Sequence, residues 1–98
     1  MELNSGQRSY LTGESHELDP LVHVGKDGLS EGVLEQTDKT LEDHELIKIR
    51  VNDNAPLEVE ECAEELAENT GAAVVQTIGS VAVLYRENPE ISDYNLPD

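Results

Sequence analysis

The sequence is poor in aromatic residues, cysteine and positive charge. Phe and Trp are absent and Tyr occurs three times, so the core must be aliphatic. The single cysteine, Cys62, permits no disulfide within the chain and is typical of a reducing compartment. No apolar run approaches the roughly 18 residues that cross a bilayer, and the amino terminus lacks the features of a signal peptide. We therefore expect a soluble, cytoplasmic protein with no membrane partner.

The charge is strongly unbalanced. The 22 acidic and six basic residues give a formal net charge of −16. A field of this sign repels nucleic acid and anionic membranes at long range. Composition leaves two interpretations open. The acidity favours a basic protein partner, or it keeps the protein hydrated in a saline cytoplasm.

Periodicity predicts one domain over residues 1–98, because the chain has no room for two cores. Helices are expected near residues 5–17, 30–43 and 59–70, and strands near 21–24, 45–51, 72–78 and 81–86. The order α-β-α-β-α-β-β predicts an α+β fold of the two-layer α/β type, with a four-stranded mixed sheet packed with helices. The segment from about residue 87 is expected to be a loose tail.

The sequence offers no catalytic or metal-binding constellation. Cys62 falls on the apolar face of the third helix, which predicts a packed core thiol. The three histidines, His16, His23 and His44, have no metal-ligand spacing and are interpreted as ordinary surface or half-buried imidazoles. Paired carboxylates are too numerous for any pair to stand out. We expect no enzyme activity, no metal and no cofactor.

The segment Gly25-Lys26-Asp27-Gly28 joins the first strand to the second helix. Glycines lack a Cβ, so the backbone of such a turn can approach a ligand closely. The following helix directs free N–H groups and the positive end of its dipole to the same place, where Lys26 adds a charge. This pattern is the outline of an anion site. The alternative is a plain β-to-α turn, because short GxxG segments are common.

Other basic residues are placed to support that turn. Lys48 and Arg50 share one face of the second strand, Arg86 ends the last strand, and Arg8 lies in the first helix. These four residues are expected to join Lys26 on a single surface if the strand order allows it. Alternatively, Lys48 and Arg50 merely line the solvent side of a strand.

Three segments together resemble a known family. They are "LNSGQRSYL", "LVHVGKDGLSEGVLEQTDKTLEDHELIKIRV" and "AEELAENTGAAVVQTIGSVAVLYREN". They are similar to the CRM domain, the YhbY-like RNA-binding family, over nearly the whole chain. The resemblance implies a fold similar to the C-terminal domain of bacterial translation initiation factor three. It also implies RNA binding through the GxxG loop and a neighbouring basic surface.

The resemblance further implies a role and a set of residues. Stand-alone bacterial members are associated with precursors of the large ribosomal subunit, so RNA of that particle is the expected partner of a monomeric protein. Carried over by position, the turn residues Gly25, Lys26, Asp27 and Gly28 would clamp the RNA backbone. The supporting cations would be Arg8, Lys48, Arg50 and Arg86. The family is usually more basic than this chain. The alternative is therefore an acidic protein-interaction module that keeps the fold and binds basic ribosomal proteins.

Overall fold

A computed structural model describes residues 2–97 and confirms the predicted order of elements. The helices are α1 (Ser5–Ser15), α2 (Glu31–His44) and α3 (Val59–Thr70), and the strands are β1 (Pro20–Val24), β2 (Leu46–Val51), β3 (Ala73–Ile78) and β4 (Val81–Tyr85). Most boundaries agree with the periodicity to within one or two residues. Among residues 2–97, no helix combines the length and apolar character needed to span a membrane.

Local signals in the sequence explain where the helices begin and end. Asn4 and Gln7 form a capping box at α1, where the Gln7 N–H donates to Asn4 Oδ1 at 2.8 Å and the Asn4 N–H donates to Gln7 Oε1 at 3.1 Å. Ser30 caps α2 by accepting the Val33 N–H at 3.3 Å. Gly71 ends α3 in the left-handed conformation, with φ of +76°.

The four strands form one mixed sheet in the order β1-β2-β4-β3. β1 and β2 are parallel, since α2 carries the chain from the end of one to the start of the other. The β2–β4 and β3–β4 pairs are antiparallel. This order places β2, with its two cations, at the centre of the sheet and beside β1.

The two faces of the sheet are covered unequally. The covered face packs against α2 and α3 and carries Val22, Val24, Ile47, Ile49, Val51, Ala82 and Leu84. The open face carries His23, Leu46, Lys48, Arg50, Val81, Val83 and Tyr85. Helix α1 packs only over the end of the open face that holds Leu46, Ala73 and Tyr85. The other end, around Arg50 and Val81, has no helix over it.

The segment after β4 is not the loose tail that the sequence predicts. The Glu45 side chain is buried and accepts the Asn88 N–H at 2.8 Å and the Asp93 N–H at 2.7 Å. Tyr94 then packs edge-on against Tyr85, with ring centroids 6.2 Å apart. One carboxylate thus fixes the path of the tail, and the tail completes the core beneath α1.

Candidate nucleic-acid interface

The GxxG segment forms a tight turn at the end of the sheet. The Gly28 N–H donates to the Gly25 carbonyl at 3.0 Å, which leaves Lys26 and Asp27 exposed at the corner. Gly28 has φ of +64°, and a Cβ built there would lie 3.1 Å from Pro56 Cγ. A Cβ at Gly25 would meet only Asn52 Nδ2, at 3.9 Å. The shape of the turn therefore depends on Gly28 and much less on Gly25.

The turn leads directly into the first turn of α2. Ser30 Oγ accepts the Val33 N–H and the Ser30 carbonyl accepts the Leu34 N–H at 3.0 Å. The N–H groups of Glu31 and Gly32 have no acceptor within the helix, as at any helix start. Asp27 and Glu31 are exposed beside them, so two carboxylates oppose the attraction of this end for anions.

Lys48 and Arg50 lie next to this turn on the open face. Arg50 is level with His23 on β1 and with Val81 on β4, and Lys48 is level with Val83. His23 is only two residues before Gly25, so the row of Arg50 adjoins the turn. Lys48 and Arg50 are two residues apart on one strand, which separates their Cα atoms by about 7 Å. Lys26, Arg50 and Lys48 thus follow one another from the end of the sheet along its open face.

The cations of this surface have no carboxylate partner. Within residues 2–97 the ion pairs are Lys39–Asp43 at 3.7 Å, Arg86–Asp38 at 2.7 Å and Arg86–Glu42 at 3.3 Å. None of these pairs involves Lys26, Lys48 or Arg50. Acidic residues outnumber basic ones by 22 to six, so carboxylate partners are plentiful in the chain. Without an ion pair among residues 2–97, these three cations remain available to an external anion.

Arg86 does not belong to this surface, contrary to the expectation that it joins Lys26. Its N–H donates to the Glu45 carbonyl at 2.9 Å, which places it at the opposite end of the sheet. Its guanidinium lies on the covered side and donates to Asp38 Oδ1 at 2.7 Å and to the Thr70 carbonyl at 2.8 Å. Only 20% of its side chain is exposed. Arg86 joins the ends of α2 and α3 and is a structural residue.

Arg8 is also separate from the cations near the turn. It is exposed on α1, and its Nη2 donates to the Val74 carbonyl on β3 at 3.4 Å. The carboxyl-terminal end of α1, at His16, lies beside Lys48. Eight residues of helix place Arg8 about 12 Å from that end. Of the five predicted cations, Lys48 and Arg50 therefore lie on one strand face, and Lys26 lies in the turn that follows the neighbouring strand.

Cys62 is fully buried, and this burial, followed by the charges of Glu65 and Glu61, raises the pKa of its thiol. A buried thiol of raised pKa is a poor nucleophile, as its position on the apolar face predicts. No group of three or more His, Cys, Asp or Glu side chains within residues 2–97 could hold a metal ion.

Comparison with known proteins identifies the family. The family model described as "CRS1 / YhbY (CRM) domain" matches residues 3–86. The chain belongs to this family. The Bacillus subtilis protein named "Probable RNA-binding protein YqeI" is 36% identical over 95 residues, which are 97% of this chain and 99% of that protein. A Haemophilus influenzae protein named "RNA-binding protein" is 42% identical over 89 residues, which are 90% of this chain and 89% of the relative.

A solved structure agrees with the fold of this CRM domain. The solution structure of the Staphylococcus aureus protein SAV1595 superposes with a TM-score of 0.84 at 42% identity. The match covers 98% of this chain and all of that one. A likeness of this extent confirms the fold that the sequence predicts.

Sequence reasoning missed two residues of the CRM domain's open face. His16 lies at the end of α1 beside Lys48, and His23 is level with Arg50. Both appear ordinary when each is taken alone. The signal that could have found His23 is the parallel pairing of β1 with β2, because aligning Val24 with Val51 sets His23 beside Arg50.

Proposed function

We propose that this CRM domain binds RNA of precursor large ribosomal subunits and acts in their assembly, as a cytoplasmic monomer without metal, cofactor or catalytic step. The observation that carries the proposal is the row of Lys26, Arg50 and Lys48, none of which forms an ion pair within residues 2–97 in a chain of net charge −16. RNA phosphates are the natural ligands for such a row. The names of the relatives in Bacillus and Haemophilus support RNA as the ligand.

In this proposal the turn and the strand have different tasks. The turn exposes Lys26 and Asp27 at a corner, where their backbone would contact the ligand. Lys48 and Arg50 are spaced to contact successive phosphates along the open face. Three phosphate contacts with a single strand would give a plot of log K against log [salt] a slope of about −2. Binding should therefore depend on salt only moderately.

A matched pair of variants within the turn tests the proposal. Lys26→Ala and Asp27→Ala both remove an exposed, charged side chain from the same corner. Lys26→Ala should weaken binding to precursor large-subunit RNA about threefold to tenfold, and Asp27→Ala should leave it equal or tighter. A filter-binding assay measures both. Equal affinities for the two variants would contradict RNA binding at this turn.

The ribosomal part of the proposal needs its own measurement. The wild-type protein should sediment with precursor large subunits in preference to mature ones, and ribonuclease should release it. Sedimentation with both subunits alike would contradict the assembly role while leaving RNA binding intact.

The second candidate is a protein-interaction module, and the exposed face of α3 favours it. That face carries five carboxylates (Glu60, Glu61, Glu64, Glu65 and Glu68), a suitable surface for a basic ribosomal protein. Retention of basic proteins after complete ribonuclease digestion would favour this candidate. Loss of all partners after digestion would contradict it.

A further inference from the structure

A shallow groove crosses the part of the open face that α1 leaves uncovered. It has a volume of about 190 Å³ and lies between the end of α1 and the β3–β4 hairpin. The side chains that matter for its chemistry are His16, Lys48, Gln76, Ile78, Val81 and Val83. A β-bulge between Val74 and Gln76 shifts the register of β3, so that Gln76 is level with Val83.

The apolar wall of the groove consists of Ile78, Val81 and Val83, and Ile78 is strongly exposed. Ile78 is level with Val81 on β4, and 63% of Ile78 is exposed, more than the exposed Leu21 (44%) or Ile91 (37%). One exposed isoleucine is ordinary in a soluble protein and indicates no function alone. Here the apolar wall lies directly beside cations without carboxylate partners. Lys48 lines the groove, and Arg50 is level with Val81.

This combination fits one class of ligand. Apolar walls suit the faces of a nucleobase, the Gln76 amide can both donate and accept hydrogen bonds at its edge, and the adjacent cations suit its phosphates. The volume of about 190 Å³ is sufficient for one base. A basic peptide would be repelled by Lys48 and Arg50.

The groove offers a base aliphatic side chains in place of an aromatic platform. The three tyrosines pack in the core between the sheet, α1 and the tail, and Tyr85 is completely buried. No tyrosine lines the groove, so bases cannot stack on phenol rings there as they do on aromatic platforms. Among the groove side chains, His16 has the single ring.

We propose that the groove holds one unpaired base of single-stranded RNA while Lys48 and Arg50 bind the flanking phosphates. The proposal rests on the RNA-binding function proposed above and adds a preference for single strands to it. A base in a duplex cannot enter the groove without breaking its pair, so duplex RNA retains only the phosphate contacts.

The test compares two RNAs and two variants by fluorescence anisotropy. Ile78→Ser removes the exposed apolar wall, and Ile91→Ser removes an exposed isoleucine from the tail. The wild type should bind an unstructured single strand at least tenfold more tightly than a duplex hairpin. Ile78→Ser should lose about fivefold to tenfold of its affinity for the single strand and less than twofold for the duplex. Ile91→Ser should match the wild type.

The outcomes separate this proposal from the general function. If Ile78→Ser binds the single strand as tightly as the wild type, the proposed base-binding groove is wrong and the proposed RNA binding is unaffected. Absence of wild-type binding to either RNA would instead overturn the proposed function.

A second measurement needs no variant. A single strand with 2-aminopurine at the bound position should become brighter on saturation, because the base leaves its stacked neighbours for an aliphatic groove. Unchanged emission at saturation would also overturn the proposal.

Discussion

The two faces of the sheet use their cations in opposite ways. On the covered side, Arg86 pairs with carboxylates and holds two helices together, and Lys39 pairs with Asp43 on the exposed surface of α2. On the open side, Lys48 and Arg50 have no such pairs within residues 2–97, although the chain is crowded with acid. This difference shows that the net charge of the chain does not predict the charge of each local surface. A strongly acidic protein can retain a local surface suited to an anionic ligand.

The faces also differ in what fills them. The core under α2 and α3 is aliphatic and contains Cys62. The core under α1 contains the tyrosines and is completed by the tail, which brings in Tyr94 and Leu96. The end of the open face at Arg50 remains uncovered because α1 ends at Ser15, before it reaches that row. The uncovered end is therefore a consequence of helix length.

The largest expected effect comes from reversing the open-face cations. Lys48→Glu with Arg50→Glu should weaken RNA binding about 100-fold near 0.1 M salt, since two phosphate contacts become repulsions. Lys39→Glu on the covered side should change affinity less than threefold. Anisotropy titrations measure both, with circular dichroism as the check on folding. Similar losses for both variants would show that overall charge controls binding and that the faces do not differ.

The complementary experiment replaces cations that form ion pairs and measures stability. Arg86→Gln should lower the free energy of unfolding by about 2 kcal/mol, because it removes charged hydrogen bonds that join α2 to α3. Lys39→Gln, in an exposed pair, should cost less than about 0.5 kcal/mol. Urea denaturation measures these values. The RNA affinity of Arg86→Gln should stay within twofold of the wild type. A marked loss of RNA affinity in a folded Arg86→Gln variant would show that Arg86 contributes to RNA binding.

The third prediction tests whether the shape of the turn depends on Gly28 more than on Gly25. Gly28→Ala should cost about 1–2 kcal/mol of stability, because of the positive φ and the close Pro56 ring. Gly25→Ala should cost less than about 0.5 kcal/mol, since its Cβ has room. Thermal denaturation of both variants measures the difference. Equal stability of the two alanine variants would contradict the turn geometry described here.

The smallest effect tests the tyrosine-containing core. Burial, and then the charge of Glu45, raises the pKa of Tyr85 from 10 to about 12. The folded state therefore keeps the proton that the unfolded state loses above pH 10. This stabilisation is complete below pH 10 and is lost as the pH rises towards 12, by about 0.8 kcal/mol at pH 10.5. Denaturant titrations at pH 8 and 10.5 should show this decrease in the wild type, and a persistent decrease in Tyr85→Phe would assign it to other groups.

The sequence predicts the elements well because their signals are local. The three–four spacing from Val59 to Thr70 and the glycine that follows determine α3, and alternation along β2 separates Lys48 and Arg50 from Ile47 and Ile49. The GxxG turn lies where the sequence predicts it, between β1 and α2. Each of these features depends on residues within a few positions of one another.

The sequence also contains enough information to predict on which side of the sheet Arg86 lies. Alternation along β4 puts Ala82, Leu84 and the following Arg86 on the covered side. The prediction instead grouped the cations by charge, and charge alone does not indicate a side. The carboxylates that hold Arg86 lie 44 and 48 positions away, so no local pattern shows them.

The packed tail could not have been predicted from local patterns either. It depends on Glu45, a buried carboxylate with φ of +62°, which accepts two backbone N–H groups 43 and 48 residues further along the chain. A glutamate at a helix end usually faces solvent. Only the assembled fold shows that this carboxylate has buried donors to satisfy.

The most direct test of the central claim is an NMR titration of the labelled protein with single-stranded RNA. The account predicts backbone amide shifts in the turn from Gly25 to Glu31, at His23, Lys48 and Arg50, and around Ile78. Helix α3 should remain unchanged. Shifts concentrated on the carboxylate face of α3, with an unaffected turn and open face, would contradict it.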